Sequence, residues 1–138
     1  MIDRDIIEAK FDIIDKNLKF LQEFKDTSVE ELESNYRDLQ AVKYSLLEIT
    51  EACIDIANHI IAAKNFKRVE EYAEMFLVLA ENKIIPKKLG EELVKMAKFR
   101  NFLIHRYGEV ETKYVVEIIK LHLVDVVDFM KEITKLFS

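Results

Sequence analysis

Two glycines and one proline in 138 residues leave this chain few means of turning tightly. A sandwich or barrel of short strands needs a turn about every 8–12 residues, built largely from glycine, proline, asparagine and aspartate. That architecture is excluded, and long helices joined by few loops remain. Hydrophobic residues make up 50% of the chain, enough to supply a core and too many for a disordered segment. The length suits one compact helical domain over residues 1–138.

The apolar residues repeat with the period of a helix. Ile7, Phe11, Ile14, Leu18 and Leu21 form one stripe, with Asp3 and Asp5 placed to favour a helix N-terminus. Asp26-Thr27-Ser28 interrupts it, and Ser28 with Glu31 has capping-box spacing for a short piece. A long helix is expected from about Tyr36 to Lys64 on Leu39, Val42, Leu46, Ile49, Cys53, Ile56 and Ile60. Another is expected from about Val69 to Asn82, with Tyr72, Phe76 and Leu79 facing inward. Pro86 belongs in the first turn of the next, which should run to about Tyr107 and stop at Gly108. Thr112 is placed to cap a last helix with the stripe Val115, Ile119, Leu123, Val126, Met130, Ile133 and Phe137. The expectation is an all-α, up-and-down bundle of about five helices.

Several function classes fall away. Cys53 is the only cysteine, so an intrachain disulfide and a multi-cysteine zinc site are both excluded. The charged start Met1-Ile-Asp-Arg-Asp is unlike a signal peptide, and no apolar run approaches the roughly 18–20 residues that cross a bilayer. A cytoplasmic protein without a membrane partner is the default expectation. The net charge of −5 argues against generic nucleic-acid coating, but it hides an asymmetry. Residues 1–82 carry 10 basic and 18 acidic side chains (−8), whereas 83–113 carry 8 basic and 4 acidic (+4). A local basic patch on an acidic body can receive a phosphate backbone while limiting indiscriminate binding, or it is simply a solvated helix face.

The basic stretch contains the most informative segment, Lys98-Phe-Arg-Asn-Phe-Leu-Ile-His-Arg-Tyr-Gly108. It sets Arg100, Asn101, His105 and Tyr107 at a helix end. At about 100° per residue, Asn101 and His105 share a face, while Arg100 and Tyr107 share another about 140° from His105. One straight helix cannot bring Arg100 and His105 onto one small substrate. Either the helix loosens before Gly108, or two copies meet at a two-fold axis and the site forms between subunits.

Arg100-Asn101-x-x-x-His105-x-Tyr107 resembles the Arg-x4-His-x-Tyr signature of HepT-like toxins, a branch of the HEPN superfamily. Leu39-Gln40-Ala41-Val42 and the run Glu48 to Ile61 resemble the second-helix block of that family, and Glu81 to Pro86 its turn into the signature helix. The resemblance implies an α-helical homodimeric ribonuclease that needs no metal or other cofactor. It also implies a minimal nucleotidyltransferase of the MntA type as antitoxin. Arg100 and His105 would be the catalytic pair, Asn101 the supporting polar residue, and Tyr107 the residue that the partner modifies with AMP. Lys95, Lys98 and Arg106 are candidates for contact with RNA, and no DNA partner is expected.

The chemistry of these residue types fits. An imidazole takes or gives a proton near neutrality, and a guanidinium forks onto phosphate oxygens. Asn101 could orient the imidazole or a sugar. On residue chemistry alone, Arg100 and His105 also read as cations serving a helix C-terminus; the resemblance over nearly the whole chain favours catalysis. A non-catalytic module binding nucleotide, RNA or a nucleotidyltransferase is the alternative, and a purely structural oligomerisation domain is a third reading. The stripe Glu51, Asp55 and His59 reads as a solvated face rather than a metal site, His122 as structural or exposed, and Cys53 as core. Tyr36, Tyr44, Tyr72 and Tyr114 read as packing residues with wetted hydroxyls.

Overall fold

The computed structural model describes residues 1–137, and every regular element among them is helical. The helices are α1 (Arg4–Gln22), α2 (Val29–Glu33), α3 (Tyr36–Ala63), α4 (Tyr72–Glu81), α5 (Lys87–His105), α6 (Thr112–Glu117) and α7 (Leu123–Thr134). A 3₁₀ turn, Tyr107–Glu109, follows α5; a π-helical turn, Ile118–His122, joins α6 to α7; a second 3₁₀ turn, Lys135–Phe137, follows α7.

The long α3 is the axis of the bundle, with α1, α4, α5 and α6 against it. Val42, Leu46, Ile49, Cys53, Ile56 and Ile60 are buried along it, as the stripe requires. Each fully buried aliphatic side chain contributes about 1.5–3 kcal/mol relative to exposure. Burial pushes the Cys53 thiol far above its ordinary range, so the group is an inert core residue. A polar seam locks α1 to α3: Ser45 Oγ donates to Asn17 Oδ1 at 2.7 Å, and Asn17 Nδ2 donates to Ile13 O at 2.9 Å. Phe76 of α4 meets Phe129 of α7 edge to face, ring centroids 5.8 Å apart.

Helix ends show how a glycine-poor chain turns. The Ser28–Glu31 capping box forms in full. At the end of α3, Phe66 N donates to Ile61 O and Asn65 N to Ala62 O, with Asn65 at φ 55°. At the end of α4, Ile84 N donates to Leu79 O and Lys83 N to Ala80 O, with Lys83 at φ 59°. Both are Schellman motifs whose left-handed residue is not glycine. Gly90 instead serves packing. A Cβ there would stand 3.1 Å from Ala80 Cβ and 3.3 Å from Phe76 O, so α4 and α5 approach closely because it has none.

Five local expectations are corrected. α4 begins at Tyr72 rather than Val69, which packs half-buried on the core from a non-helical run. Tyr72 points outward, 39% exposed, with the Arg100 guanidinium carbon 4.7 Å from its ring centroid. α5 ends at His105, two residues early; Gly108 has no positive φ and is not the stop. Glu111, not Thr112, occupies the N-cap of α6, and Thr112 is buried in its first turn. The last stripe is also interrupted. The π turn inserts a residue, and Phe129, absent from the expected stripe, is fully buried while Met130 is only half-buried.

Candidate active site

α5 stays regular through His105, and its break falls at Arg106 (φ −140°, ψ 44°). The loosening therefore redirects Tyr107 and leaves the angular offset between Arg100 and His105 that a straight helix gives. Arg100 faces the bundle, its side chain 14% exposed. His105 is exposed, with no side-chain hydrogen bond among the described residues. Within one protomer the two do not converge.

Arg100 is held on three sides. Its Nε donates to Glu51 Oε1 at 3.0 Å, and its Nη2 lies 2.8 Å from the same oxygen. Its Nη1 donates to Asn101 Oδ1 at 3.1 Å, and its guanidinium carbon sits 4.7 Å from the Tyr72 ring centroid. A guanidinium has five N–H donors; these three contacts use three, leaving two for an anion. In this protomer the Asn101 side-chain oxygen accepts from the arginine. Sequence reasoning paired neither Glu51 nor Tyr72 with Arg100. Glu51 lies 49 positions from its partner; the sole hint was its place in a polar stripe beside the apolar face of α3.

That stripe does not act as a unit. Asp55 pairs with Lys10 at 2.9 Å, and His59 Nε2 accepts the backbone N–H of Asp3 at 2.9 Å. Glu51 faces Arg100 of α5, while Asp55 and His59 hold the start of α1.

After the break, Tyr107 lies half-buried against α3. Its hydroxyl donates to Gln40 O at 3.1 Å. The buried Lys43 donates to Tyr107 O at 3.2 Å, with its Nζ 4.9 Å from the ring centroid. Burial, and second the nearby Tyr36, push the phenol up from its ordinary value, so it stays protonated and donating. Burial pulls the Lys43 ammonium down.

The expected RNA contacts are exposed but differ in their commitments. Lys95 pairs with Glu92 at 3.2 Å and Arg106 with Glu109 at 2.9 Å. Lys98 shares the outer face of α5 with Asn101 and His105. Beside them Phe102 and Ile104 are 42% and 43% exposed. Among the described residues, no helix is long and apolar enough to cross a membrane.

Comparison with known proteins matches residues 14–133 to the family model "Ribonuclease HepT-like". The mRNA nuclease HepT of Shewanella oneidensis is 33% identical over 127 residues, covering 91% of this chain and 94% of that protein. The tRNA nuclease HepT of Aphanizomenon flos-aquae is 26% identical over 110 residues, 80% of this chain and 75% of that one. Among solved structures, a toxin–antitoxin complex with AMP-PNP superposes with a TM-score of 0.89 at 31% identity, covering 96% of this chain and 99% of that one. The tri-AMPylated Shewanella oneidensis HEPN toxin in complex with MNT antitoxin gives a TM-score of 0.88 at 30% identity over 96% and 99%.

Proposed function

The chain belongs to the ribonuclease HepT-like family, and from that premise we propose that it is a toxin ribonuclease whose active site joins Arg100 and His105 across a homodimer. One observation carries the reading. The only break in α5 falls after His105, so no local distortion turns the imidazole toward its own arginine. A second copy against the face of Asn101, Phe102 and His105 would supply the missing convergence and cover the exposed Phe102 and Ile104.

The chemistry needs no metal or cofactor. The RNA 2′-oxygen forms a bond to phosphorus while the bond from phosphorus to the 5′-oxygen breaks, giving a 2′,3′-cyclic phosphate and a 5′-hydroxyl. One His105 takes the 2′-hydroxyl proton, and the His105 of the other protomer gives a proton to the departing 5′-oxygen. Arg100 directs its two remaining donors at the non-bridging oxygens, where charge develops. Lys98 stands on the approach, while Lys95 and Arg106 exchange their carboxylate partners for the phosphate backbone.

Tyr107 is the proposed site of modification with AMP by a nucleotidyltransferase antitoxin, the kind of partner seen with the Shewanella toxin. A phenolic oxygen bearing phosphate has no proton to donate, so modification breaks the bond to Gln40 O and frees the segment after His105. The added negative charge then competes with RNA phosphate for the arginines.

The test is cleavage of total RNA in EDTA by the parent, Arg100→Ala and His105→Ala, with the mass of Tyr107 checked in the same preparations. Cleavage by the parent and a loss of about 10²–10⁴-fold in each variant are expected. An unmodified, folded parent that cuts no RNA would overturn the reading. The Glu51–Arg100 pair favours a second reading, a helical module binding nucleotide, RNA or the nucleotidyltransferase, since the arginine is already half-neutralised. In that case His105→Ala changes affinity and the parent cuts nothing.

A further inference from the structure

Away from the signature, three metal-ligating side chains converge from α5, the π turn and α7. His122 closes the π turn at φ −116° and ψ −7°, directly before α7 starts. Its Nδ1 stands 3.4 Å from Asp125 Oδ2 and 3.8 Å from Glu92 Oε2 on α5. One ligand atom from each of the three residues can be chosen so that all lie within 4.8 Å of one another. Ligands bound at about 2.0–2.1 Å on a tetrahedral ion lie roughly 3.3–3.4 Å apart; the His122–Asp125 edge of 3.4 Å already matches, and the His122–Glu92 edge of 3.8 Å needs a small closure.

The surroundings suit an ion with an open position. The three residues edge a cavity of about 240 Å³ between α5 and the π turn, walled by Met96, Phe99, Tyr114 and Ile118. Glu117 also lines it. The nearest cation, Lys95, takes the other oxygen of Glu92, Oε1, and leaves Oε2 to the cluster. Glu92 precedes Arg100 by eight residues, roughly 12 Å along α5, so the cluster is separate from the signature. π turns recur where a helix places a functional group that a regular register would misdirect.

We propose that Glu92, His122 and Asp125 bind one divalent transition-metal ion of the zinc class, with a fourth position open to the apolar cavity. An imidazole and two carboxylates are a borderline-to-hard donor set that suits Zn²⁺, with softer ions disfavoured by the lack of sulfur. The ion clamps α5 to the start of α7. It takes no part in RNA cleavage, and binding is expected to raise Tm as Zn²⁺ rises.

The test uses the full chain stripped with EDTA, dialysed and titrated with Zn²⁺ alone, read by native mass spectrometry, calorimetry and thermal unfolding. One ion per chain and a rising Tm are expected. His122→Ala and Asp125→Asn should each weaken uptake by more than ~10-fold while keeping the metal-free Tm close to that of the parent, and His105→Ala should bind as the parent does. No uptake would overturn the proposal and leave His122 as a local contact of Asp125 and Glu92. Uptake unchanged in both cluster variants, or lost in His105→Ala, would overturn it equally by placing the ion elsewhere.

Discussion

Between Leu89 and Ala97, α5 buries Leu89, Leu93 and Ala97 and uses Gly90 to let α4 approach. Between Arg100 and His105 the same helix buries Leu103 but leaves Phe102 and Ile104 more than 40% exposed, beside an exposed imidazole. The first half is spent on the fold, and its pattern is that of any amphipathic helix. The second half departs from that pattern in both directions at once. It puts apolar side chains outside and draws a guanidinium in against Glu51 and Tyr72. A buried cation costs free energy unless it is paired, and exposed aromatic surface is unfavourable unless something covers it. Both departures are concentrated within six residues, which is where a site assembled by a second protomer would be built.

The sharpest way to break this comparison is to truncate one apolar residue in each half. Leu93 is fully buried, so Leu93→Ala should cost about 2–5 kcal/mol in urea unfolding. Phe102→Ala, on the exposed face, should cost less than about 0.5 kcal/mol when the protein is dilute. The same Phe102→Ala should shift sedimentation at higher concentration toward the monomer and lower RNA cleavage with it. Equal unfolding costs for the two variants would erase the distinction between the halves. A Phe102→Ala protein that remains fully dimeric would move the interface elsewhere.

How much was legible follows the same division. The stripes on α1 and α3 and the Ser28 capping box came directly from periodicity and short-range chemistry, which lie within one or two turns of chain. The signature on α5 was legible as residue types, and its angular spacing already separated Arg100 from His105. What escaped involves partners distant in sequence. Glu51 meets Arg100 only because α3 and α5 pack together, and the Tyr72 ring meets the same guanidinium because α4 packs on α5. The π turn was invisible because a residue inserted between two apolar stripes leaves both stripes apolar; only the burial of Phe129 over Met130 reveals the change of phase. The convergence of Glu92 with His122 escaped for the same reason.

The two glycines offer a second comparison, with a smaller effect. Gly90→Val should cost about 1–3 kcal/mol, because its side chain enters space already held by Ala80 and the Phe76 carbonyl. Gly108→Ala meets nothing within 4 Å and has no left-handed backbone to strain, so its unfolding free energy should stay within about 0.5 kcal/mol of the parent. A large cost at Gly108 in the isolated chain would mean that the turn after His105 adopts a conformation only glycine allows.

A smaller effect than that at Gly90 concerns the position where a glycine would be useful and is missing. Lys83 completes the Schellman motif of α4 at φ 59°, exposed, just before α5 begins. A left-handed backbone costs an ordinary residue about 1–2 kcal/mol, and glycine returns part of that relief as extra entropy in the unfolded chain. Lys83→Gly should therefore stabilise by roughly 0.5–1 kcal/mol, read as a higher urea midpoint at unchanged slope. Asn65→Gly, at the end of α3, should gain less, since asparagine tolerates this conformation better than lysine. The order matters more than either value. A larger gain at Asn65 than at Lys83 would mean that side-chain strain is not what limits these turns, and that contacts made by the lysine stem hold the entry to α5.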